Sequence, residues 1–248
     1  MTMQAVRFAG ARRWQKIKLS WLEKQGYVPR NDLARGSESM LIVGSGPSAR
    51  RDDLAQIASG YDFVVTMNEA RHFLDRADVK TYEFCYWDQS IFERQLAGFP
   101  DIDLDRALIK PFSILRMPKA NIAMLRQAWE KNSDTAPAFL DHRYLPPPLA
   151  YAKPQLLMSR NRPLLQSRGT LSALLDAAWL GEVSHVGLIG TDLGHVDDSG
   201  QFVPHPTDLP ENGVPGIAGM LEKFRSVGYL RSVEFTHYHV NERLRDVL

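Results

Sequence analysis

The sequence predicts an α/β fold, a Rossmann-like and mostly parallel sheet with helices on both faces. Three observations carry that prediction. Short apolar runs alternate with helical patterns along the chain, beginning with Met40–Val43 and Tyr61–Met67. The first run leads directly into a glycine turn, Gly44-Ser45-Gly46-Pro47-Ser48. Polar residues recur at the ends of the later runs, as in Gly190-Thr191-Asp192. Strands and helices alternating in this way imply parallel pairing through right-handed crossovers.

Taken in order, residues 5–25 read as a basic amphipathic helix. Arg7, Arg12, Arg13, Lys16, Lys18 and Lys24 stand against one acid, Glu23, while Val6, Trp14, Ile17, Trp21 and Leu22 recur at helical spacing. Such a helix either docks on a domain with its basic face solvated or lies on an anionic membrane surface. With a polar linker from Asn31 to Ser39, it sets residues 1–38 apart from a single α/β domain over 39–248. In that domain Met40–Val43 is a strand and Asp52–Ala58 its following helix. Tyr61–Met67 and Lys80–Trp87 are further strands, followed by helices over Glu69–Leu74 and Ser90–Leu96, and Ala107–Ile109 is a fourth strand.

From about residue 111 to 165 the alternation breaks down. A helix over Asn121–Trp129 precedes a proline-rich stretch with Pro146-Pro147-Pro148 and Pro154, which suits a helical lid inserted over a ligand site. The sheet pattern resumes with an apolar helix (Leu171–Leu180) and a strand (Val186–Ile189). A long polar loop runs to about Gly216, then a helix (Ile217–Val227) and a last strand (Val233–Phe235).

The bulk numbers bound the function. The 248 residues are 44% hydrophobic and 24% charged, the balance of a globular chain able to bury a core. A net charge of +1 gives no general attraction for nucleic acid. The single cysteine, Cys85, excludes an internal disulfide and suits a reducing compartment; within Phe84-Cys85-Tyr86-Trp87 it reads as a small buried hydrophobe. No run approaches the roughly 20 apolar residues that cross a bilayer. The N-terminus shows neither the apolar core nor the cleavage site of a signal peptide. The expected location is the cytoplasm, with peripheral contact to the inner membrane face through residues 5–25.

The chemistry-bearing residues gather at predicted strand ends. Gly44 and Gly46 can adopt positive φ and let a ligand approach the backbone closely. Backbone N–H groups and Ser48, near the start of the next helix, are expected to hold a phosphate or ribose. The turn is neither a P-loop nor the dinucleotide fingerprint, lacking both Gly-Lys-Ser/Thr and the third spaced glycine. Asn68-Glu69, Asp88-Gln89 and Gly190-Thr191-Asp192 end later strands, and in an open parallel sheet such ends share one crevice. Arg160, Arg162 and Arg168 read either as charge for a phosphate or as a solvated basic loop. No metal site is expected. Asp101-Ile102-Asp103 sits in an acidic turn, and His237 and His239 lack supporting Cys or carboxylate spacing.

Gly44-Ser45-Gly46-Pro47-Ser48, then Asn68, then Asp88-Gln89-Ser90-Ile91-Phe92-Glu93 resembles the bacterial sialyltransferases of glycosyltransferase family 42. Gly169-Thr170 opening an alanine- and leucine-rich helix, with Leu188-Ile189-Gly190-Thr191-Asp192 after it, is similar to that family's next block. The matching segments span roughly residues 40–95 and 165–227. A flagellin-glycosylating and pterin-pyrophosphokinase-like group shares the Gly-x-Gly-Pro-Ser and Gly-x-Asp ends. The resemblance implies a glycosyltransferase A-type variant of the Rossmann-like sheet. It also implies inverting, metal-independent transfer of sialic acid or a related nonulosonic acid from a CMP-linked donor to a surface or lipid-linked glycan, with no further cofactor. By position, Gly44 to Ser48 would line the cytidine and phosphate pocket, and Asn68 and Glu69 would face the donor. Gly169-Thr170 would meet the donor sugar or ribose, with Arg168 beside it, and Asp192 would sit beneath the nucleotide.

The general base implied is a loop histidine, His205 in Pro204-His205-Pro206 or else His195. A neutral imidazole near pH 7 can take the proton of the acceptor hydroxyl as it attacks. This sequence departs from the family in three places. Asp88 replaces an asparagine, Arg168-Gly169-Thr170 replaces Thr-Ser-Gly, and Leu193-Gly194-His195 replaces the phosphate-contacting tyrosines. A carboxylate at 88 would repel a carboxylate-bearing sugar, which leaves another nonulosonic acid, Kdo or a non-sialic donor open. Two other classes stay open. One is an ATP- and Mg²⁺-dependent pyrophosphokinase-like enzyme, with Asp88, Asp192, Asp197 and Asp198 as its available carboxylates. The other is a non-catalytic nucleotide-binding or assembly protein. The resemblance also implies a homo-oligomer.

Overall fold

The computed structural model describes residues 17, 19–30, 33–67, 70–75, 79, 82–85, 107–109, 123, 126–127, 129–131, 133–140, 142–167, 169–196, 199, 201–211, 213–238 and 242–248. It is a mixed α/β protein with parallel sheets and helices. The chain divides into two compact units, Met1–Asn31 with Phe84–Arg143, and Asp32–Glu83 with Tyr144–Leu248. These divisions fall elsewhere than the 38/39 boundary read from the sequence. The strands in chain order are β1 (Val28–Arg30), β2 (Ser39–Val43), β3 (Phe63–Met67), β4 (Tyr82–Cys85), β5 (Ala107–Ile109) and β6 (Ala138–Leu140). They continue with β7 (His142–Tyr144), β8 (Leu164–Gln166), β9 (His185–Ile189), β10 (Gly194–Val196), β11 (Phe202–Pro204) and β12 (Glu234–His237).

In the first unit β6 lies between β1 and β5, both parallel to it, with Val28 opposite Ala138 and Ile109 opposite Phe139. Residues 19–24 are helical, and Leu22 is fully buried while Ile17 is 54% exposed, so the predicted apolar stripe is only partly covered. Gly26, at φ +84°, turns the chain out of that helix into β1. Tyr27, Trp129 and Phe139 are the unit's large buried rings, and the Arg126 guanidinium donates to the Gln25 carbonyl.

In the second unit the strand order is β3-β2-β9-β12, with every adjacent pair parallel. Met40–Val43 and Val186–Ile189 are buried on both faces, as strands of a parallel sheet must be when helices cover it. Leu41, Val43 and Ile189 pack with Leu54 and Ala58 of the Leu54–Ser59 helix and with Leu74 of the Arg71–Asp75 helix. Each such aliphatic side chain contributes about 1.5–3 kcal/mol when taken out of water. The Gly169–Leu180 helix is buried without interruption from Leu171 to Trp179, with Ser172 and Asp176 covered along with its apolar residues.

Several irregular segments turn out ordered. Leu33 and Ala34, in the predicted polar linker, are buried, and their carbonyls lie against Gly181. The proline-rich stretch is helical over Pro147–Ala152 and again over Pro154–Leu157. Its prolines occupy first-turn positions, where no N–H partner is needed, and Ala150 and Leu157 are buried. Among the described residues no helix is long and apolar enough to cross a membrane.

Candidate functional site

β2 leads to β3 on one side, while β9 flanks it on the other, so the order reverses between β2 and β9. In open parallel sheets ligands bind outside the carboxyl ends at such a switch point. Here those ends are Gly44–Ser48 and Gly190–Asp192. Gly44 N–H donates to Ile189 O at 2.8 Å and Gly46 N–H to Gly190 O at 2.9 Å. The turns touch so closely that a Cβ on Gly44 would lie 2.2 Å from Gly190 O, and one on Gly190 would lie 2.1 Å from Gly44 O. Gly190 has φ +65°, but Gly44 and Gly46 are not at positive φ, and Gly46 is extended with φ −67°. Both glycines admit the backbone of the neighbouring strand end, and Gly46 also admits the Asp192 carboxylate behind it.

Ser48 shows the same inward use. Its N–H (3.0 Å) and hydroxyl (2.9 Å) both donate to Asp192 Oδ2, and the hydroxyl accepts from Gly190 N–H at 2.9 Å. Asp192 is 1% exposed, and a Cβ on Gly46 would lie 2.2 Å from its Oδ2. Ser48 reads from the sequence as a contact for a phosphate or ribose; in this structure a buried carboxylate accepts both of its donors. Pro47 begins the short Pro47–Ala49 turn, and Ser45 is exposed beside it. Thr191 and Thr66 are 2% and 0% exposed, and no protein partner meets either hydroxyl among the described residues.

The polar loop after Asp192 contains a hairpin. β10 and β11 pair antiparallel, with Gly194 opposite Pro204 and His195 opposite Val203. The next pair outward is Leu193 and His205, and His205 N–H donates to Leu193 O at 2.6 Å. Leu193 is one of few non-glycine residues at positive φ, +56°. His205 O accepts from Asp208 N–H at 2.8 Å. Asp208 is 4% exposed, and its Oδ1 accepts from Ala218 N–H at 3.3 Å, capping the Ile217–Ser226 helix. Sequence reasoning missed the hairpin and Asp208. Alternation at His195-Val196 and Phe202-Val203 around Asp197-Asp198-Ser199-Gly200 was the available sign.

Gly169, at φ +68°, opens its helix; Ser172 Oγ donates to its carbonyl at 3.0 Å and accepts Ser167 N–H at 3.2 Å. Thr170 beside it is half-buried. The neighbouring arginines are committed elsewhere. Arg162 binds Asp176 through both terminal nitrogens at 2.6 Å and also reaches Leu157 O at 2.9 Å. Arg160 pairs with Glu182 at 2.6 Å and stacks 4.3 Å from the Trp179 ring. Asp176, fully buried, also accepts Leu165 N–H at 2.7 Å and the Tyr229 hydroxyl at 3.0 Å. Burial, reinforced by the Asp176 charge, pushes the Tyr229 phenol well above its ordinary value. Arg160 and Arg162 thus serve packing rather than a phosphate. The one acid within an apolar helix was the unread sign of this buried pair.

Asn68, Glu69, Asp88, Gln89, Arg168, Asp101, Asp103, Asp197, Asp198 and His239 lie outside the described residues, as do the predicted Ser90–Leu96 helix and residues 5–16. The side chains of His195 and Cys85 do so too. Among the described residues no cluster of His, Cys, Asp or Glu could hold a metal ion. No protein-family model and no curated protein matches the chain.

Proposed function

We propose that this chain is a glycosyltransferase that moves sialic acid or a related nonulosonic acid from a CMP-activated donor to a glycan acceptor. The transfer is inverting and metal-independent, the fold a glycosyltransferase A-type variant of the Rossmann-like sheet, and His205 the general base. The observation that carries this reading is the 2.6 Å bond from His205 N–H to Leu193 O. It pairs an exposed histidine with Leu193, the residue that follows Asp192, beyond the strand end where the sheet order reverses. Imidazole is the side chain whose ordinary pKa suits accepting an acceptor-hydroxyl proton near neutral pH.

Residues 5–25 would hold the enzyme near membrane-linked acceptors through their basic side chains.

Thermal-shift measurements with CMP, CDP, UDP, GDP and ATP, with and without Mg²⁺, test the donor class. Stabilisation by CMP without Mg²⁺ is expected. A response to ATP alone that requires Mg²⁺ would sink the transferase reading in favour of a phosphotransferase. His205→Ala should reduce transfer by about 10²-fold or more while leaving CMP binding nearly unchanged. Full activity in that variant would move the base to His195.

A further inference from the structure

We infer that Leu193 is a positioning residue whose left-handed backbone holds the His205 loop against the end of β9. The catalytic meaning of this inference rests on the transferase reading; its structural content does not. His205 is constrained from four directions. Its N–H is bonded to Leu193 O at 2.6 Å, and its carbonyl accepts from Asp208 N–H at 2.8 Å. Pro204 and Pro206 flank it, the first with fixed φ and the second confining His205 itself to extended conformations. Despite that fixed backbone, the residue is exposed. A loop that served only to connect β11 to the next helix would not need its exposed residue held so tightly.

The constraint is built at the cost of strain in the partner residue. Leu193 has φ +56°, a region that side chains with a Cβ avoid and that glycine or asparagine occupies more readily. Strained backbone persists where the surroundings over-determine it, and such places cluster at functional sites. The surroundings here are visible on both sides. Asp192, just before, is locked to Ser48, and Gly194, just after, starts the hairpin ladder opposite Pro204. The hairpin links the strand end to Asp208, whose Oδ1 accepts from Ala218 N–H in the first turn of the Ile217–Ser226 helix.

Leu193→Val and Leu193→Asn separate positioning from general stability. The β-branch of valine opposes the left-handed region, whereas asparagine keeps the left-handed preference without the leucine side chain. Hydrogen exchange on the intact protein should show the His205 amide slowed by about a hundredfold or more relative to an open chain. Leu193→Val should lose about tenfold of that protection, and Leu193→Asn should retain it. In transfer assays, Leu193→Val should lower kcat by about tenfold at nearly unchanged donor KM, with Leu193→Asn keeping most of the parent rate. An unprotected His205 amide in the parent protein overturns the inference, as does a Leu193→Val variant with parent-like protection and kcat. If the parent transfers no sugar from CMP donors while the amide follows the predicted order, the transferase reading fails and the positioning role stands.

Discussion

Two glycines in neighbouring positions on β9 and its following turn differ in what surrounds them. At Gly190 an added Cβ would meet the Gly44 carbonyl, a backbone atom, and the residue sits at φ +65°. At Gly187 it would meet the hydroxyl end of Tyr61 at 2.3 Å, an atom that can swing aside. Gly190→Ala should therefore destabilise by about 3 kcal/mol or more, adding left-handed strain to a clash that cannot relax. Gly187→Ala should cost about 1–2 kcal/mol, chiefly by displacing Tyr61 from its contact with Tyr238. Urea denaturation of both variants measures the order, and a larger loss at Gly187 would refute this account of the β2–β9 junction. Ser48 and Asp192 belong to the same junction, which is why residues that read as ligand contacts serve first to join two strand ends.

Among the elements, the Gly169–Leu180 helix depends most on a single polar residue. Asp176 ties it to Arg162, to Leu165 N–H and to Tyr229. With side-chain exposures of 10% for Arg162 and 1% for Asp176, loss of either partner leaves a charge in a dry environment. Asp176→Ala should cost about 3–5 kcal/mol in denaturant unfolding. The paired replacement Arg162→Met with Asp176→Leu should recover much of that loss, since removing both charges also removes their desolvation cost. If the double variant is as unstable as the single one, the pair contributes more than mutual neutralisation. The β10–β11 hairpin is a second element whose role comes from placement. It converts a sequence-distant histidine into a neighbour of Leu193, and through it of Asp192.

At the scale of the molecule, stability should respond to pH through two groups, the half-buried His237 and the buried Tyr229. Burial, then Arg245 and Arg225, lowers the His237 pKa below its ordinary value of 6.5. The unfolded chain thus binds a proton near that value while the folded chain does not until lower pH. The His237 contribution is present above pH 6.5 and is lost as pH falls through the folded value. His237→Gln should flatten the acid limb of a stability profile taken between pH 7 and pH 4. Tyr229 acts in the opposite direction, because its phenol is raised by burial and by Asp176. Its contribution is complete below the ordinary value of 10 and declines as pH rises above it, so Tyr229→Phe should flatten the alkaline limb. Unchanged limbs in either variant would show that other groups govern that side of the profile.

The sequence by itself determined which segments form the buried frame of the second unit. Met40–Val43 and Val186–Ile189 are apolar runs and Leu171–Leu180 is apolar except for Ser172 and Asp176, the pattern of a parallel sheet covered on both faces and packed by a buried helix. It also marked the strand ends Gly44–Ser48 and Gly190–Asp192 and singled out His205 as the histidine to test. The three-residue strands β1, β6 and β11 escaped because each includes or adjoins a proline that reads as a turn, whereas the equally short β5, Ala107-Leu108-Ile109, stood out as an apolar run. Only the tertiary structure decided what the marked residues touch. Gly44 and Gly46 face a neighbouring backbone and a carboxylate, Ser48 faces Asp192, and Arg162 faces Asp176. A polar group's partner depends on which distant segment the fold brings beside it, and composition along the chain carries no record of that pairing.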